Sequence, residues 1–332
     1  MFRKHVPLMP CRAVGAHERC SVDMIPPDIA PMTPELDQIS SLSNLLATVE
    51  QLSLSSSQLD GVPTDLDSSL RFAGAQLTQA AGLLLRLPQE IIAQAIVILY
   101  RFYVGSEGGS FRINAVKDVS AASLYMTAKV SFLPQSTRSI LNVYAYLLSP
   151  ACPLRKPPQT STKPDPESYY LSEGSYQAAR ATLLQTESIL LRSISFITQV
   201  TLPHHLALYY LQTLGVLTPA STPKSTALAA RTLAHLNTAL LSPQLVYLTH
   251  QPPALAVASV YLAAKEVGIK LASVEWWEVF DVDREELGFL VVALRSCEAW
   301  IQAEKVRWRD GSCPLTLDEL ETEIKKKDGE CL

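Results

Sequence analysis

Lys129 and Glu187 are charged residues set into stripes that otherwise read as apolar. In "EGSYQAARATLLQTESILLRSI", Arg180, Leu183, Leu184, Glu187, Leu191 and Ile194 recur at spacings of three and four. On a helix this places a carboxylate among side chains that expect apolar neighbours. In "ASLYMTAK", Ala122, Tyr125, Met126 and Lys129 share one face, with the ammonium at the C-terminal end. Taking either charge out of water costs on the order of several kcal/mol unless it finds a partner. The two are therefore expected to meet. The alternative is that Lys129 runs out to solvent beside its helix C-terminus and Glu187 reaches water.

Other residues of chemical type lack a complete constellation. "VGSEGGSF" (104–111) has the glycines of a phosphate-cradling loop, but no strand precedes it and no Lys-Ser/Thr follows, so it reads as an interhelical turn. "DVDREE" (281–286) lacks the glycine of a calcium loop and suits a helix N-terminus. Cys11, His17 and Cys20 do not have the spacing of a common zinc finger, and no metal site is assigned. His204 and His205 follow Pro203 at a helix start, where packing and capping account for them. Trp276 and Trp277 read as core and rim of the second half, with a partner surface as the secondary alternative. Thr33, Ser149, Thr218, Thr222 and Ser242 each precede a proline and are candidates for a proline-directed kinase. No catalytic residue and no cofactor is expected, because no nucleophile, metal or phosphate constellation is complete.

The elements that must position the pair follow from composition and period. Hydrophobic residues are 48% of the 332 and charged ones 18%, enough apolar material for a globular core. A net charge of -4 and a pI near 5.9, with no basic stripe, argue against direct nucleic-acid binding. Six scattered cysteines suit free thiols better than a disulfide scaffold. The N-terminus shows no apolar run of signal-peptide length, and apolar stretches such as "IIAQAIVILY" are too short to span a bilayer, so no membrane association is expected.

Periodicity is helical almost throughout, which predicts an all-α fold. Helices are expected near 66–86, 88–104, 114–131, 135–148, 173–194, 204–214, 226–241, 252–267, 275–280 and 283–305. Residues 1–60, rich in Ser, Pro and Met, read as a mostly flexible arm with one amphipathic piece at Leu42, Leu45, Leu46, Val49 and Leu52. The octapeptide "ASLYMTAK" returns as "ASVYLAAK" at 258–265. Small residues at matched places suit a helix surrounded by others, so two tandem bundles are expected, each around a central helix. Their bounds are 61–215, with a Pro-rich loop at 149–170, and 228–305, joined by a linker at 216–227 and followed by a polar tail, 306–332. The late helix of the second half carries Leu290, Ala293, Leu294 and Cys297 with no acid at a matching place. The charged pair thus belongs to the first half only.

At these residues the chain resembles a cyclin, a family of two tandem five-helix cyclin boxes. The likeness runs from about Asp60 to Lys305 and is strongest to the L-type cyclins of transcription and splicing, through "LDGVPTDLDSSLRFAGAQLTQAAGLLLRLPQ", "SILNVYAYL", "LPHHLALYYLQTLG" and "LAVASVYLAAKEVGIKL". The resemblance implies that Lys129 and Glu187 form a pair that hydrogen-bonds to the backbone of a cyclin-dependent kinase. Phe132, Leu133, Leu191 and Phe196 would then be apolar kinase-facing positions, joined by Ile140 and Tyr144. It also implies a non-catalytic activator that forms a heterodimer with the kinase, nuclear localisation, and further transcription or splicing partners. Docking would act by holding the kinase's catalytic Lys–Glu pair and activation segment in place.

The chain departs from the family at "KVSFLP", where Ser131 and Phe132 stand in place of two acids, and it has no Arg/Ser-rich tail. A substrate-docking patch of the cell-cycle kind is not recognisable at 88–104, which favours a transcription-type role. A TFIIB-like general transcription factor uses the same tandem fold. It would carry paired C-x-x-C motifs and a basic second repeat, and neither is seen here.

Overall fold

Prolines and small polar caps set where the helices start. The computed structural model describes residues 43–149, 152, 169–218, 222–271, 275–308 and 313–330. Two short helices, α1 (Val49–Ser53) and α2 (Ser56–Leu59), each open on a capping box, Thr48 with Gln51 and Ser55 with Gln58. Five longer ones follow: α3 (Thr64–Leu84), α4 (Gln89–Tyr103), α5 (Val116–Val130), α6 (Thr137–Leu148) and α7 (Glu173–Ser193). Next come α8 (Pro203–Thr213), α9 (Pro223–Ala239), α10 (Val246–Thr249) and α11 (Pro252–Val267). A 3₁₀ turn at Trp276–Phe280, α12 (Arg284–Arg307) and α13 (Leu317–Glu330) complete the order, with no strand among the described residues. α8, α9 and α11 each have proline in the first turn, where its missing N–H leaves no bond unmade. α11 stops at Gly268, whose φ of 72° closes the helix in the left-handed conformation.

The repeated octapeptide lies on the two central helices. α5 packs against α3, α4, α6 and α7, and α11 against α8, α9, α10, α12 and the 3₁₀ turn. Ala121, Ala122, Ser123 and Ala128 on α5, and Ala256, Ala258, Ser259 and Ala263 on α11, are buried and let neighbouring backbones approach. The buried hydroxyls stay satisfied within the helix: Ser123 donates to the Ser120 carbonyl and Ser259 to that of Ala256.

Close approach also explains Gly82, where α3 meets α4. A Cβ there would clash with Cγ1 of the fully buried Ile92. Gly82→Ala is expected to destabilise the chain by about 1–3 kcal/mol through overpacking, outweighing the better helix propensity of alanine. A lower midpoint of urea unfolding at unchanged slope would show it; an unchanged or higher midpoint would refute it.

Several expectations are corrected. α8, grouped by its position before the linker with the first half, packs instead on α11 and α9, burying Ala207, Tyr210 and Leu211. The groups therefore part at the short stretch before Pro203 rather than at the Pro/Ser/Thr-rich 216–227. Composition marked the more polar connection, whereas burial marks the true one.

Of the arm read as mostly flexible, residues 43–60 are held against the body. Asn44 bonds Gln251 and Thr201 through all four of its polar groups: backbone N–H to Gln251 Oε1 (2.9 Å), Nδ2 to the Thr201 carbonyl (2.8 Å), Oδ1 from the Thr201 N–H (2.8 Å), and its carbonyl from Gln251 Nε2 (3.1 Å). Residues 1–42, and most of the Pro-rich loop at 149–170, lie outside the described residues.

The polar tail contains α13. Its charge, in "LDELETEIKKKDGE", obscured an apolar edge in which Leu320 and Ile324 are buried with Leu315, whose carbonyl accepts the N–H of Lys117 at 3.3 Å.

The two groups share one core. Tyr100 of α4 donates to the Leu240 carbonyl (2.7 Å), and Phe72 of α3 meets Trp300 of α12 edge to face. Buried Glu304 of α12 accepts from Ser69 Oγ of α3 (2.7 Å) and from Trp308 Nε1 (3.1 Å).

Candidate functional site

The crossing of α5 and α7 brings the sequence's charged pair together. Lys129 Nζ lies 2.9 Å from Glu187 Oε1. The partners are unequally exposed: the Glu187 side chain is 9% accessible and that of Lys129 54%, so the acid is rooted in the core and the lysine reaches over it from water. Tyr125, one turn back on α5, places its ring 5.2 Å below the ammonium. The hydrogen bond to Glu187 outweighs desolvation and raises the Lys129 pKa, and the nearby charges of Glu187 and Tyr125 add to the rise. The stability this shift contributes is complete below the ordinary lysine range and is lost as pH climbs through the raised value.

The buried stripe of α7 is Leu183, Thr186, Glu187 and Leu190, whereas Arg180 and Leu184 face solvent and Leu191 is half-buried. Glu187 therefore sits one residue to the side of the face first drawn, still within reach of α5.

What the pair can do follows from its unused valences. An ammonium has three donors, and Lys129 uses one on Glu187. Glu187 Oε2 has no hydrogen-bond partner among the described residues. The site thus offers donors and an acceptor side by side, a match for the carbonyl and N–H of another chain's backbone. At the matching end of α11, Lys265 is exposed and makes no ion pair among the described residues, while Leu290, Ala293, Leu294 and Cys297 of α12 are all buried.

Exposed apolar side chains follow the pair along the chain, after Lys129 and after α7. Phe132 is fully exposed, and Leu133 and Phe196 are open to solvent. Phe196 is held outward by two successive left-handed residues, Ser195 (φ 52°) and Phe196 (φ 60°), that turn the chain after α7. Val130, equally exposed, belongs with them; its place directly after Lys129 was the signal that sequence reasoning passed over. Residues 130–133, 198–200 and the start of α4 line an open groove of about 470 Å³ beside this surface.

Ile140 and Tyr144 do not belong to the surface. Ile140 is 0% and Tyr144 4% accessible, and the Tyr144 hydroxyl pairs with Ser120 Oγ at 2.6 Å, which in turn meets Thr78 Oγ1 at 2.7 Å. Both face inward from α6 because its apolar stripe closes the bundle over α5 and α3.

Among the described residues no cluster of His, Cys, Asp and Glu could hold a metal; Cys11, His17 and Cys20 lie outside them. No described helix is long and apolar enough to cross a membrane. His204 is packed as expected, its Nε2 2.9 Å from Asn237 Oδ1 and its pKa lowered chiefly by burial.

No protein-family model matches the chain. It is 28% identical over 247 residues to Cyclin-L2 of Homo sapiens, covering 74% of this chain, and 27% identical over 287 residues to Cyclin-L1 of Gallus gallus, covering 86%. The chain is similar to cyclins. Both relatives are L-type cyclins, in keeping with the motifs. The chain spans 43% and 47% of their lengths, less than half of either. Its fold is shared with a chain of the yeast RNA Pol II CTD kinase CTDK-1 complex, at a TM-score of 0.60 and 14% identity over 86% of this chain and 84% of that one.

Proposed function

We propose that this chain is a cyclin, the non-catalytic regulatory subunit of a cyclin-dependent serine/threonine kinase that acts in transcription or pre-mRNA splicing in the nucleus. The observation that carries the reading is the Lys129–Glu187 pair, paired to each other and yet retaining donors and an acceptor for a partner's backbone. Exposed Val130, Phe132, Leu133 and Phe196, with half-buried Leu191, supply apolar area around that polar centre. This arrangement of a desolvatable polar centre among apolar anchors suits a stable heterodimer. Kinship with L-type cyclins and a fold shared with a chain of an RNA Pol II CTD kinase complex support the transcriptional setting.

Capture of purified cyclin-dependent kinases by the full chain, followed by phosphorylation of an RNA polymerase II C-terminal-domain peptide, tests the reading. A kinase that is both retained and activated is the expected result. Retention of none of them would refute it. Phe132→Ala removes an exposed ring without touching the core, and is expected to weaken retention by about tenfold or more at unchanged melting temperature. Equal retention by this variant would remove Phe132 from the interface.

A further inference from the structure

We propose that Thr222 is the phosphate-acceptor site of a proline-directed serine/threonine kinase, and that the phosphate it receives caps α9. The inference is independent of whether Lys129 and Glu187 dock a kinase.

The structure separates the Ser/Thr-Pro sites that the sequence could only list together. Ser242 is 4% accessible and its Oγ is engaged by the N–H of Gln244. Its hydroxyl is closed to an enzyme. Thr33, and the prolines after Ser149 and Thr218, lie outside the described residues. Thr222, Pro223 and Lys224 are all exposed. Thr222 has extended backbone, φ −83° and ψ 160°, the conformation that a following proline favours and in which a kinase groove receives an acceptor. Proline suits such a groove because it has no N–H, whereas any other residue would bury an amide donor without an acceptor. Lys224 adds an exposed base two residues on.

The hydroxyl is loosely held. Thr222 Oγ1 accepts the N–H of Ser225 at 3.3 Å and meets Ser225 Oγ at 3.0 Å. In the transfer, Oγ1 bonds to the γ-phosphorus of magnesium-ATP as the bond from that phosphorus to the β,γ-bridging oxygen breaks. ADP departs, and the hydroxyl proton passes to the kinase's catalytic base.

The product dianion then stands at the start of a helix whose first turn holds no acid, with Lys224 beside it. Phosphate oxygens replace the single hydroxyl acceptor and complement the helix dipole. α9 packs on the central helix α11, so a firmer start to α9 strengthens the second bundle.

The test incubates the full chain with a purified proline-directed kinase and magnesium-ATP, maps the phosphate by mass spectrometry and measures melting. Phosphate on Thr222 is expected, and Pro223→Ala should slow its appearance by about tenfold or more. The phosphorylated chain should melt about 2–4 °C higher at low salt, with a smaller rise at high salt. Thr222→Ala should remove both the label at this site and the rise. The proposal is overturned if Thr222 stays unmodified while a peptide of the same sequence is labelled, or if phosphate on Thr222 leaves melting unchanged or lowers it.

Discussion

Glu187→Ala is expected to weaken kinase capture by roughly 30-fold to several thousand-fold, the equivalent of about 2–5 kcal/mol for loss of one member of a desolvated, hydrogen-bonded charge pair at an interface. The fold should survive, because Lys129 is half-exposed and returns to water when its partner is removed. Lys129→Ala should weaken capture similarly, but it also strands Glu187, 7% accessible, without its cation, so some stability is lost as well. The comparison of the two variants is therefore informative. Affinity measured by calorimetry and folding by circular dichroism separate docking from stability. Binding by Glu187→Ala within about threefold of the parent would show that the pair serves the bundle alone.

Arg71→Ala should be the most destabilising single change considered, at about 3–5 kcal/mol, because it leaves a buried carboxylate without its cation. Asp67 of α3 is 0% accessible, is paired with Arg71 one turn on, and accepts a further bond from Ser55 Oγ at 3.3 Å. Burial lowers the Arg71 pKa, with partial compensation from Tyr100. Asp67→Leu combined with Arg71→Met should recover most of the loss, since apolar residues of similar volume remove the desolvation penalty with the charges. Urea unfolding of the two variants checks both claims. A loss under about 1 kcal/mol for Arg71→Ala would mean that water reaches Asp67.

Much of the fold was legible in the sequence because it rests on local pattern. Pro88, Pro203 and Pro252 mark helix starts, and the octapeptide's small residues mark the two central helices, whereas α9 begins at Pro223, inside the stretch expected as linker. α13 was missed because charge dominates its sequence while only a few apolar side chains hold it, and α8, expected as a helix, was grouped with the wrong half because a polar linker is a weaker guide than the face a helix buries.

The candidate site divides in the same way. Helical spacing determined that Lys129 and Glu187 each sit on a face with apolar neighbours, and that the second repeat has no such pair. Only the tertiary structure decided that the two side chains meet at 2.9 Å, that the acid is buried and the base is not, and that Ile140 and Tyr144 point into the core while Val130 joins the surface. The physical reason is that period along one helix fixes which residues share a face, whereas which face meets another helix, and which is left to solvent, depends on packing between segments far apart in the chain.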